Sequence, residues 1–172
     1  MTTDIYVCSL SRLEKTVDQT GARFIVSAIN PWSIPQTPES VDDSNHLKMA
    51  INDIAAPHGD LVHPETSHIE QLIDFAKHWN KDGPLVIHCL AGISRSSASA
   101  FIVACTLNSQ ASETTIALAL REASATAHPN PLMISLADQL LERDGRMIAA
   151  IQALSPSAST MEANTYSMPS CF

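Results

Sequence analysis

The chain is short of charge, and shorter still of positive charge. Only 16% of its 172 residues are Asp, Glu, Lys or Arg, and 10 Lys and Arg stand against 18 Asp and Glu, a net charge of −8 with histidine neutral. No basic stripe is present to displace counterions from a polyanion, so binding to nucleic acid or to an anionic membrane surface is not expected. Long apolar runs are missing too. The stretch around Ala98–Leu107 is too short to span a bilayer and reads as a buried helix. The four cysteines, Cys8, Cys89, Cys105 and Cys171, form no C-x-x-C pair and no zinc spacing, which predicts reduced thiols and a cytoplasmic location. Met1-Thr2-Thr3-Asp4 lacks the basic start of a secretory signal. His58, His63 and His68 recur every five residues, which suits neither one helix face nor a zinc motif, so no metal and no cofactor are expected. No internal repeat is visible.

What the chain does have is a hydrophobic content of 45%, enough for one domain with a real core. Elements alternate. Strands are predicted at Ile5–Cys8, Arg23–Ser27, Leu47–Asn52 and Leu85–His88, and helices at Ser11–Thr20, Glu65–Trp79, Ser96–Leu107, Ser112–Ala125 and Pro131–Glu142. Asn130-Pro131 opens the last helix as N-cap and first helical residue. This alternation predicts an α/β fold, with a central, mainly parallel sheet flanked by helices. The domain is expected over residues 1–154. Residues 155–172, rich in Ser, Thr, Ala, Met and Pro, are expected to form a poorly ordered tail.

The densest signal is His88-Cys89-Leu90-Ala91-Gly92-Ile93-Ser94-Arg95-Ser96. A buried strand leads into it and a helix leaves it. A tight loop between the two is a nest of backbone N–H groups at a helix start, which suits an anion. Cys89 opens the loop and Arg95 closes it. Electropositive surroundings favour the thiolate of Cys89 as a nucleophile. Arg95 is permanently charged and can grip two phosphate oxygens at once. The amides of Leu90, Ala91, Gly92, Ile93, Ser94 and Arg95 would take the rest. This arrangement suits attack by sulfur on a bound phosphoryl group, with the Ser96 hydroxyl stabilising the departing thiolate. Ser94 lacks the second glycine that a serine-hydrolase elbow requires.

The run resembles the signature loop of the cysteine-dependent protein-tyrosine phosphatase superfamily, in particular its small dual-specificity and bacterial members. That pattern is His-Cys, two residues, Gly, two residues, Arg, then Ser or Thr, met here by His88, Cys89, Gly92, Arg95 and Ser96. The resemblance implies a metal-independent phosphatase with a phosphorylated protein or peptide as substrate. It implies a loop-ordering role for His88, and a general acid on a loop upstream. Asn52-Asp53, 36 residues before Cys89 and following a strand, looks like that acid loop, so the role passes to Asp53. Asp60 competes, although its place after Gly59 suggests a turn. Leu90, Ala91, Ile93 and Ser94 carry no positive charge, which favours a singly phosphorylated residue over a polyanionic headgroup. Two other readings stay open: a pseudophosphatase that binds phosphoproteins without turnover, and a phosphatase for a small metabolite or lipid. The oligomeric state is not legible.

Overall fold

In the computed structural model, which describes residues 3–172, strands and helices alternate as the apolar patterning requires. The strands are β1 (Asp4–Ser9), β2 (Phe24–Ile29), β3 (His46–Ala50), β4 (Leu85–Cys89) and β5 (Tyr166–Pro169). The helices are α1 (Leu13–Thr20), α2 (Thr66–His78), α3 (Arg95–Leu107), α4 (Glu113–Ala123), α5 (Pro131–Leu140) and α6 (Arg146–Gln152). The sheet order is β3-β2-β4-β1-β5. The first four strands are parallel, and β5 runs antiparallel to β1.

Period-two alternation splits the strands between two cores. Ile5, Val7, Val26, Ala28, Leu85 and Ile87 face the larger one, under α2 to α6. Cys8, Ile25 and Val86 face the smaller one, with Leu13 and Val17 of α1. Helix α3 runs through the larger core and is buried nearly all round, which is why its sequence is Ala, Ser, Phe, Ile and Val with no charge after Arg95. Arg143 ties its far end down, donating to the Cys105 carbonyl at 2.7 Å and to Glu113 at 2.8 Å.

Two expectations need correction. Residues 155–172 are not a poorly ordered tail, for they hold β5, whose Tyr166 and Met168 alternate into the larger core while the backbone pairs with β1. Polar composition hid a four-residue strand with only two apolar anchors. Helix α6 was not expected at all. It is seven residues long, too short for a clear period, and is started by the buried Asp138 carboxylate, which accepts from Gly145 N and Met147 N. The edges of other elements shift by a few residues: the expected strand Leu47–Asn52 is His46–Ala50, which frees Asn52 and Asp53 to leave the sheet.

Because β1 to β4 are parallel, their carboxyl ends lie along one edge of the sheet. Ser9, Asn30, Asn52 and Cys89, far apart in sequence, leave the sheet at that edge, where α/β proteins place their ligands.

Candidate active site

The loop from Cys89 to Arg95 is shaped by where its carbonyls go. The Cys89 carbonyl accepts from His88 Nδ1 at 3.2 Å and the Leu90 carbonyl from Leu10 N at 3.2 Å. The Ala91 carbonyl accepts from Ala163 N at 2.9 Å, the Ile93 carbonyl from His128 N at 3.0 Å, and the Ser94 carbonyl from Ala98 N at 3.0 Å and Asn130 N at 3.3 Å. All these carbonyls point outward. Across a planar trans peptide the next N–H points the opposite way, so the amides of Leu90, Ala91, Gly92, Ser94 and Arg95 are turned inward. One inward bond is already made: Gly92 N donates to Cys89 Sγ at 3.3 Å.

Gly92 has no substitute here. Its φ is +74°, and a Cβ would sit 3.0 Å from the Cys8 carbonyl carbon and the Ser9 nitrogen. The loop is therefore pressed against the end of β1.

Cys89 is 2% exposed, and its Sγ lies 3.1 Å from Ser96 Oγ. Arg95 is 3% exposed, and its Nη1 donates to Asn30 Oδ1 and to the Ile51 carbonyl, both at 2.7 Å. Its Nε is buried and has no partner among the described residues. A buried donor on a permanent cation costs free energy if left unmade, and an oxyanion in the nest would satisfy it. His88 is wholly buried, and burial pushes its imidazole down to about 4, with Arg95 adding to the effect, against the favourable bond to the Cys89 carbonyl. The ring is neutral at physiological pH.

Asp53 reaches the loop from the other side. Its Oδ1 accepts from Ser94 Oγ at 2.7 Å and from Asn130 Nδ2 at 3.0 Å. Both bonds use one oxygen and leave the other free. Asp60 lies in the exposed part of the same loop, with no side-chain bond among the described residues. The structure thus brings Cys89, Ser96, Arg95, His88 and Asp53 together and leaves Asp60 apart.

Sequence reasoning missed four contributors. Asn30 grips Arg95 and receives Asn52 Nδ2 at 3.4 Å, and Asn130 both caps α5 and holds Asp53. Ala163 holds the Ala91 carbonyl, while the neighbouring Glu162 carboxylate accepts from Ser9 and Ser11 and is held by them below the usual carboxylate range. Asparagine close to the carboxyl end of a predicted strand was the available signal for Asn30 and Asn52: Asn30 directly follows β2, and Asn52, placed inside the predicted strand, lies two residues past β3. Among the described residues no three His, Cys, Asp or Glu side chains gather as a metal site, and no helix is long and apolar enough to cross a membrane.

The model of the protein-tyrosine phosphatase family matches residues 6–139. The chain belongs to that family. Among solved structures, DUSP15 superposes with a TM-score of 0.62 at 17% identity, covering 89% of this chain and 94% of its own. Human DUSP28 gives 0.59 at 19% identity, covering 81% and 88%, and Cydia pomonella PTP-2 gives 0.57 at 16%, covering 96% and 99%. At such identities these likenesses establish the fold alone. A search of curated protein sequences finds no match. The family member described here therefore has a cysteine-phosphatase fold and a nest at the carboxyl edge of its sheet.

Proposed function

We propose that this chain is a protein phosphatase that hydrolyses phosphotyrosine, and phosphoserine or phosphothreonine where the pocket admits them, through a cysteinyl-phosphate intermediate. One observation carries the reading: the inward amides, the unpartnered Arg95 Nε and the Cys89 thiol converge on the place where a phosphoryl group would sit. Three phosphoryl oxygens bind the amides of residues 90–95 and the free guanidinium donors. Cys89 Sγ attacks phosphorus, forming an S–P bond as the P–O bond to the substrate breaks. The proton of the Asp53 carboxyl goes to the departing oxygen. Water then attacks the phosphocysteine, the Asp53 carboxylate takes its proton, and the S–P bond breaks while Ser96 donates to the returning thiolate. No step calls for a metal.

The phosphorylated-residue assignment is supported by the loop interior, which carries no cation, and by apolar surface nearby. Leu90, on the loop itself, is 50% exposed. An aryl ring would find more contact there than a polyanion. A solved neighbour, PTPMT1, was crystallised with PI(5)P and aligns at 12% identity with a TM-score of 0.58, so the lipid is the proper comparison substrate.

The test is hydrolysis of para-nitrophenyl phosphate in EDTA by wild type and Cys89→Ser, followed by phosphotyrosine, phosphoserine and phosphothreonine peptides against soluble PI(5)P. Turnover lost in Cys89→Ser and highest kcat/KM on the phosphotyrosine peptide is expected. Preference for the lipid would overturn the substrate class. Phosphopeptide binding with no turnover by wild type would make the chain a binding module.

A further inference from the structure

Behind the nucleophile, on the sheet face that α1 covers, a line of hydrogen bonds runs through four side chains. His88 Nε2 lies 2.6 Å from Ser27 Oγ, Ser27 Oγ lies 2.7 Å from His46 Nε2, and His46 Nδ1 lies 3.0 Å from Thr37 Oγ1. Ser27 on β2 stands opposite His88 on β4 in the register, and His46 opens β3. Ser27, His46 and His88 are all buried.

With both rings neutral, donor counting leaves one arrangement. His88 Nδ1 faces the Cys89 carbonyl, which can only accept, so Nδ1 carries the proton and Nε2 is a lone pair. That lone pair needs the single Ser27 hydroxyl proton. Ser27 Oγ must then accept from His46, which makes His46 the opposite tautomer, protonated on Nε2. The His46 Nδ1 lone pair takes the Thr37 hydroxyl proton. Burial of both rings favours that neutrality. Burial pushes His46 down to about 4, Lys48 and His88 adding and Asp43 opposing, and it pushes His88 to about the same value.

We infer that Ser27 and His46 are positioning residues for the phosphate loop: they lock His88 as its Nδ1–H tautomer, which holds the Cys89 carbonyl outward and the Leu90 N–H inward. With the other tautomer, two acceptors would face each other at Cys89 and the peptide would turn. The line ends on Thr37, in the same segment between β2 and β3 that begins with Asn30, so one loop steadies both Cys89 and Arg95. The inference rests on the reading of Cys89 as nucleophile only in its consequence for reactivity.

The experiment is nitrogen NMR of the full chain labelled with 15N-histidine. His88 should show Nδ1–H and His46 Nε2–H, both neutral at pH 5.5, where exposed histidines are mostly charged. His88 protonated on Nε2, or His46 on Nδ1, overturns the inference. This readout needs no substrate and stands apart from whether any phosphoester is hydrolysed. The second arm is alkylation of Cys89 by iodoacetate, an anion that needs both the thiolate and the nest. Ser27→Ala should slow it about tenfold at pH 6.5, for a buried ring nitrogen loses its partner. Ser27→Thr, which keeps the hydroxyl, should restore it. Should Ser27→Ala not fold, Thr37→Val at the half-buried end lets His46 change tautomer, with a loss of about threefold expected. An unchanged alkylation rate in a folded Ser27→Ala or Thr37→Val protein overturns the positioning role.

Discussion

In the phosphate loop, the carbonyls of Cys89, Leu90, Ala91, Ile93 and Ser94 are each bonded, and the donors come from β4, the end of β1, the segment before β5, the segment before α5 and α3. The loop carrying Asp53 is closed by one pair, Asn52 N to the Val62 carbonyl at 2.7 Å with Val62 N returned to Asn52 Oδ1 at 2.9 Å. Between those ends residues 55–60 are exposed, and Asp53 hangs on Ser94 and Asn130. The difference matches the two tasks proposed for these loops. Amides that stabilise charge must be aimed before the substrate arrives, since reorienting them later costs free energy. A general acid, the role proposed for Asp53, must reach the leaving oxygen of substrates that differ in size, and Asp53 is held by side chains alone. Damage to the first loop should disturb folding and binding together, and damage to the second should fall on turnover.

The largest effect that would sharpen this contrast is Asp53→Asn. The amide oxygen still accepts from Ser94 and Asn130, so the fold stays, but the proton is gone. kcat should fall by about 10²–10⁴-fold with KM little changed. Asp60→Asn should stay near wild type in the same assay. A normal kcat for Asp53→Asn would move the acid elsewhere.

Gly92→Ala probes the other loop. A side chain at φ +74° that is also 3.0 Å from the backbone of β1 cannot be accommodated without moving the loop. Stability in urea should drop by about 1–3 kcal/mol, and kcat/KM should fall with it. Loss of turnover with unchanged stability would mean that this loop is no more tightly fixed than the acid loop.

Acid should weaken the phosphate-loop side first. His46 and His88 lie at about 4 in the fold against an ordinary value near 6.5. Between those limits the unfolded chain binds protons that the native rings refuse, so their contribution is full above pH 6.5 and is lost as the pH falls toward 4. Glu162 and Asp42, held low by hydroxyl and amide donors, add their losses only at lower pH. The melting temperature should therefore decline already between pH 6.5 and 5. A flat profile across that window would show that the two rings take up protons in the native state.

Contiguity decided what the sequence could reveal. Cys89 to Ser96 lie within one strand–loop–helix run, so residue types and spacing were enough to put a thiol, a guanidinium and a hydroxyl around one nest. The parallel order of β1 to β4 was legible from alternation. Asn30, Ala163 and the pairing of Ser27 with His46 were not, because they meet the loop only through strand order and register, which local patterns do not encode. Ala163 also contributes nothing but a backbone N–H, available to any residue except proline. The strand β5 escaped because its pairing with β1 depends on an edge that exists only after folding.

The smallest effect separates the two jobs of one side chain. Asn130 Oδ1 caps α5, accepting from Leu132 N and Met133 N at 3.1 Å, while Nδ2 donates to Asp53 at 3.0 Å and to the Ile54 carbonyl at 3.2 Å. Asn130→Ala removes both and should cost about 1 kcal/mol of stability as well as several-fold in kcat. Asn130→Ser keeps a capping oxygen but has no amide to reach Asp53. Its stability should stay within a few tenths of a kcal/mol of wild type while kcat falls as far as in the alanine variant. If serine restored kcat together with stability, Asn130 would act on turnover only by holding α5, and Ser94 alone would carry Asp53.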